Sequence, residues 1–183
     1  MKILFIGNSY TYYNDMPTAI FREFAVAAGH DVTVTAITKG AWTLEKFADP
    51  ADEYGAKVHR ALANEQYDYV ILQEQSGRPI AKPEGFFDGS RDLAALVAEN
   101  GAELWFYQTW GYKEGYSKLP THGGTTEEME LMLRAAYDAI AEELGAKNLT
   151  FHPMLDSADA PALYASADLN VIPLGKNIYS LPA

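Results

Sequence analysis

A serine, a glycine and two glutamines in this chain stand where acyl chemistry could be built. Ser9 lies in Gly7-Asn8-Ser9-Tyr10, directly after the apolar run Lys2–Ile6. A serine hydroxyl becomes a good nucleophile once a neighbouring base takes its proton. The oxyanion that then develops needs preorganised N–H donors. The backbone N–H of Ser9, the N–H of Gly40 and the side-chain amide of Gln75 could supply three, from loops that follow three successive apolar runs. Gln73 is the alternative to Gln75. Asn8, Tyr10, Trp42, Gln73 and Trp110 fall in the same set of loops, with Tyr12, Tyr13 and Tyr112, and could rim a pocket for a sugar or an acyl group. Each residue also has a plainer use. A serine after a strand can be a turn or helix-cap residue. Gly40 can be a turn glycine, Gln75 a solvated amide, and the aromatics ordinary packing.

These loops need a frame that brings their tips together. Short apolar runs at Lys2–Ile6, Val32–Thr38, Tyr69–Leu72, Glu103–Gln108 and Leu149–Met154 read as strands. Between them lie segments of helical period. The first opens at Asp15-Met16-Pro17, with Ile20, Phe21, Phe24 and Ala27 as its buried stripe and Gly29 as its stop. Further helices are expected near Leu44–Phe47, over Tyr54–Asn64, over Arg91–Glu99 with Asn100-Gly101 as the stop, and over Thr126–Leu144. Thr125 or Thr126, ahead of Glu127 and Glu128, opens the last of these. Pro161–Ser166 adds a turn or two. Five strands alternating with helices predict an α/β fold, a three-layer, doubly wound, five-stranded parallel sheet. Such sheets carry their sites beyond the carboxyl ends of the strands, where the loops named above lie.

The composition narrows the partners. The 183 residues hold no repeat or linker and read as one domain over 1–183. No stretch approaches the roughly 20 apolar residues of a membrane span. Met1 runs straight into the first strand, so no signal peptide is expected and the cytoplasm is the expected compartment. The chain has no cysteine, which removes disulfides, thiolate nucleophiles and cysteine-bound metals. A net charge of −11 argues against nucleic acid and favours a small neutral or cationic substrate. No His-Glu-x-x-His or comparable cluster occurs, so neither a metal nor a cofactor is expected.

Three motifs in order resemble the SGNH (GDSL-like) hydrolases, a bacterial subgroup in particular. Ile3–Asn14 is similar to the family's first block, an apolar strand followed by Gly-Asp-Ser, here Gly7-Asn8-Ser9. Gly40 falls at the oxyanion glycine of the second block. Asp68-Tyr69-Val70-Ile71-Leu72-Gln73-Glu74-Gln75-Ser76 resembles the third, a strand then Gly-x-Asn-Asp, with Gln75 at the asparagine position. The resemblance spans about the first 170 residues in element order. It implies that the sheet is flavodoxin-like and that the chain is a serine esterase of small acyl or carbohydrate esters. Ser9 would be its nucleophile, Ser9, Gly40 and Gln75 its oxyanion hole, and Asp168 the residue that orients a histidine.

That histidine is missing. The family's base stands in Asp-x-x-His near the C-terminus, and this chain reads Asp168-Leu169-Asn170-Val171. Valine cannot accept a proton, and loss of the base in serine proteases costs about 10⁶ in turnover. Of the four histidines, His30 follows a helix stop on the far side of the sheet, His59 is expected on a helix surface and His152 in a strand. His122, in a loop after the fourth strand, could reach inward. The tail 171–183 also lacks the family's last helix. Read from the third base of the Val171 codon, the codons permit His-Pro-Ser-Gly, one polar residue, Glu or Lys, Tyr and Leu, which is the ending the resemblance implies. The alternative is a module that binds an ester or glycan without turning it over. A flavodoxin-like nucleotide or flavin binder would share the topology, but Gly-x-Gly-x-x-Gly and a Walker sequence are absent.

Overall fold

A computed structural model of the chain describes residues 1–149. Its five strands are β1 (Lys2–Gly7), β2 (Thr33–Thr38), β3 (Tyr69–Leu72), β4 (Glu103–Tyr107) and β5 (Lys147–Leu149). All pair in parallel, in the order β2-β1-β3-β4-β5. The strands run as nearly unbroken apolar stretches because both faces of a parallel sheet are covered. Their side chains alternate between two cores. Leu4, Ile6, Val70, Leu72 and Phe106 join the larger one, with Phe47, Val58, Phe86, Leu93 and Tyr137. Ile3, Phe5 and Ile71 face the other way, against Met16, Phe21 and Trp105.

The larger core is closed by α3 (Leu44–Ala48), α4 (Glu53–Asn64), α6 (Pro83–Asn100) and α7 (Thr126–Leu144). Asp52 caps α4, its side chain accepting from the N–H groups of Tyr54 and Gly55. Thr125 opens α7 in a reciprocal capping box with Glu128, and Gly145 closes it in the left-handed region at φ 63°. Helix α6 begins at Pro83 rather than at Arg91, and a short α5 (Arg78–Ala81) precedes it. Gly85 and Gly89 weaken the helical signal of that first half. They are needed there because α6 crosses α3 closely: a Cβ on Gly89 would collide with the Glu45 backbone. Tertiary contact overrides local propensity here.

The segment after β1 departs most from expectation. Asp15 makes no capping bond. Asn8 caps instead, accepting from Tyr10 N–H at 3.2 Å, so a short α1 (Ser9–Tyr12) starts at once. Asn14 and Asp15 then take left-handed φ values of 57° and 53°, which break the helix before a π-type turn (Met16–Phe21) leads into α2 (Arg22–Ala27). Ile20, Phe21 and Phe24 end up half-buried and Ala27 exposed, rather than forming a buried stripe. The expectations for the rest of the fifth strand, for Pro161–Ser166, for His152, and for Asp168 with the 171–183 tail lie outside the described residues.

Candidate active site

Strand order reverses between β2 and β3 on either side of β1, so the loops after β1, β2 and β3 meet beyond its carboxyl end. Ser9 stands there as the first residue of α1. The turn that presents it is pinned by three hydrogen bonds to two neighbouring loops. Asn8 N–H donates to Gln73 Oε1 at 2.9 Å, and Asn8 Nδ2 donates to the Trp42 carbonyl at 3.1 Å. Thr11 Oγ1 donates to the same Gln73 oxygen at 2.8 Å. Gly7 allows this close approach, since a Cβ there would lie 2.7 Å from Gln73 Oε1.

Asn8 and Gln73 are therefore not rim residues. Both are buried, and both hold loops together. Gln73 Oε1 accepts twice, and its Nε2 is bonded to the Glu74 carbonyl. The second amide hydrogen of Gln73 is shut inside the protein with the rest of its side chain. Gln75, half-buried, commits one amide hydrogen to Ser76 Oγ at 3.0 Å and keeps the other. Of the two glutamines, Gln75 is the one equipped to donate outward.

Gly40 sits in the turn after β2, closed by Trp42 N–H on the Lys39 carbonyl at 3.1 Å with Ala41 at φ 61°. A Cβ on Gly40 would meet Tyr12 Oη at 3.0 Å, which places the β2 turn against α1. Tyr12, Thr38, Lys39 and Gly40 line an open depression there. On the other side, Tyr10 stacks at 4.4 Å on Trp110 from the β4 loop. Burial, with the nearby Tyr112 and Tyr116 hydroxyls, raises the Tyr10 pKa, and a hydrogen bond to Ser76 opposes the rise. Tyr12, Tyr13, Trp110 and Tyr116 are exposed, as a rim requires. Trp42 is turned instead toward α4: its indole N–H donates to Asp52 at 2.9 Å, and Lys46 lies 4.2 Å over its ring.

No hydrogen-bond partner of Ser9 Oγ occurs among the described residues. His122 does reach inward, but to the β3 loop. Its Nδ1 is 2.9 Å from the Lys118 carbonyl, which leaves Nε2 as the nitrogen facing Gly77. The ring packs 5.3 Å from Tyr112. His59 is half-buried rather than on the surface, with Nε2 2.7 Å from the Ala48 carbonyl. Reading the sequence missed Glu74, which is fully buried at the end of β3. Burial pushes its carboxyl up to about 7, against the hydrogen bonds from Gln75 and Leu44 N–H groups. An acid two residues after the apolar run Tyr69–Leu72 was the available signal. No group of three His, Cys, Asp or Glu suited to a metal ion occurs among the described residues.

A five-stranded parallel α/β sheet with a serine at its switch point is the frame that solved hydrolase structures share with this chain. A candidate SGNH hydrolase from Slackia heliotrinireducens is 32% identical and covers 81% of this chain and 77% of its own, with a TM-score of 0.70. This chain belongs to the SGNH hydrolase family. TesA has a TM-score of 0.59 at 15% identity, with 90% of this chain and 94% of its own covered. A carbohydrate acetylesterase family member from Sinorhizobium meliloti has a TM-score of 0.58 at 19% identity, with 81% and 82% covered. These two share the fold. No family model and no curated protein sequence matches the chain.

Proposed function

We propose that this chain is built as a serine esterase for small acyl or carbohydrate esters. Ser9 Oγ attacks the ester carbonyl, and the N–H groups of Ser9 and Gly40 with the Gln75 amide hold the oxyanion. The alcohol leaves with the proton that Ser9 gives up, and water then hydrolyses the acyl ester to the carboxylic acid and restores the Ser9 hydroxyl. The observation that supports this reading is the pinning of the Asn8–Ser9 turn to Gln73 and Trp42, which ties together the three loops that hold the proposed donors. The exposed aromatics around Tyr10 and Trp110 suit a sugar or a short acyl chain. A carbohydrate acetylesterase family member with the same fold is consistent with that substrate class.

Val171 favours a second reading, a binding module of the same shape, because no base stands at the position the family uses. Asp168 would orient a histidine at 171. One comparison separates the two readings. Installing Val171→His should raise hydrolysis of p-nitrophenyl acetate by about 10² to 10⁴, the usual contribution of a general base, and Ser9→Ala should abolish the gain. A Val171→His chain that still retains an ester without turning it over supports the binding module. The gene sequence across codon 171 tests the shifted frame: triplets that do not spell His-Pro-Ser end that explanation.

A further inference from the structure

Glu74 plays no part in the chemistry just described, yet it is buried where the site's loops converge. A buried carboxylate is costly unless its oxygens are hydrogen-bonded. Glu74 Oε1 accepts the N–H of Gln75 at 2.5 Å, and Oε2 accepts the N–H of Leu44 at 3.2 Å. Gln75 carries the outermost oxyanion donor. Leu44 opens α3, directly after the turn that carries Gly40. One carboxylate thus spans the two loops whose donors must meet over Ser9. From α5, Arg78 Nε stands 3.9 Å from Oε2, while Nη2 of the same guanidinium donates to Glu45 of α3. From α7, Tyr137 Oη accepts the Glu74 N–H at 3.1 Å.

We propose that Glu74 is a positioning residue whose carboxylate clamps the Gly40-bearing and Gln75-bearing loops together, and whose protonation releases one of them. The inference rests on the esterase reading and deepens it. An ionised carboxylate accepts on both oxygens, whereas a protonated one turns one oxygen into a donor. The bond from Leu44 N–H, the one of the two that crosses between the loops, then loses its charged acceptor, and the spacing between the loops is no longer fixed. The raised pKa of this carboxyl, near neutrality, puts the change in an accessible range.

The test follows backbone amide and glutamate carboxyl resonances of the full chain from about pH 5 to about pH 9. The Leu44 and Gln75 amides should move together with the Glu74 carboxyl carbon, on one midpoint near 7, and both should be flat in Glu74→Gln. Amides that ignore pH, or that move identically in Glu74→Gln, overturn the clamp. Should Glu74→Gln fail to fold, shared or separate midpoints in the native chain decide the matter. In the Val171→His chain, Glu74→Gln should lower kcat about tenfold at pH 8 with KM changed less than about twofold. Unchanged kcat also overturns the clamp. Coupled titration in a Val171→His chain without hydrolysis supports the clamp and removes the esterase reading.

Discussion

The two glutamines after β3 differ by two positions and by everything the fold does with them. Gln73 points into the sheet and fastens Asn8 and Thr11, so Gln73→Ala should unpin the Ser9 turn. It leaves the buried Asn8 N–H without its acceptor, a loss of about 1 to 3 kcal/mol readable as a lower urea midpoint. Gln75→Ala should leave stability nearly unchanged and, in the Val171→His chain, lower kcat about 10²-fold or more with KM little altered. Glu74 ties this loop to pH. Its folded pKa, about 7, lies above the 4.5 of an unfolded glutamate. The unfolded chain therefore gives up this proton first as pH rises. Its effect on stability is absent below about 4.5, becomes an increasing penalty up to about 7 and is constant above. Denaturant melts at pH 5 and pH 8 should show a drop of about 3 kcal/mol that is smaller in Glu74→Gln. An equal drop in both chains would assign the dependence to other groups.

The elements that hold these residues were legible to different degrees, for physical reasons. The strands announce themselves as apolar runs because a parallel sheet is covered on both faces. The bounds of α7 can be read because Thr125 and Glu128 form a capping box, and Thr125→Ala should cost about 1 kcal/mol in a thermal melt. The start of α6 could not be read. Gly85 and Gly89 look like breakers locally, and their use appears only where α6 meets α3. Gly89→Val should therefore destabilise the chain although valine is the better helix former, as a lower melting temperature would show. The site shows the same limit. Ser9, Gly40 and Gln75 could be picked out by position after strands. The burial of Asn8 and Gln73 could not, because Gln73 meets Asn8 across 65 residues of sequence. Alternation of polar and apolar residues carries no information about such pairs.

The whole molecule carries Ser9 at the switch point of its sheet, and the proposed esterase site has Val171 in the sequence where the family's base is expected. The sheet order β2-β1-β3-β4-β5 brings the loops after β1, β2 and β3 to the end of β1, and membership of the SGNH hydrolases follows from 32% identity over 81% of this chain and 77% of a relative's. Preorganised donors act even without a base: serine proteases stripped of their catalytic residues retain roughly 10³ to 10⁴ over the uncatalysed rate. The native chain should therefore show low but measurable esterase activity, with a large gain in Val171→His, and Ser9 should be the residue that becomes acylated. The most direct measurement is peptide mass spectrometry of the Val171→His chain after treatment with a p-nitrophenyl phosphonate. One adduct, on the peptide that holds Gly7-Asn8-Ser9-Tyr10 and absent in Ser9→Ala, is the predicted result. An adduct on another residue, or none at all from a folded chain, would contradict it.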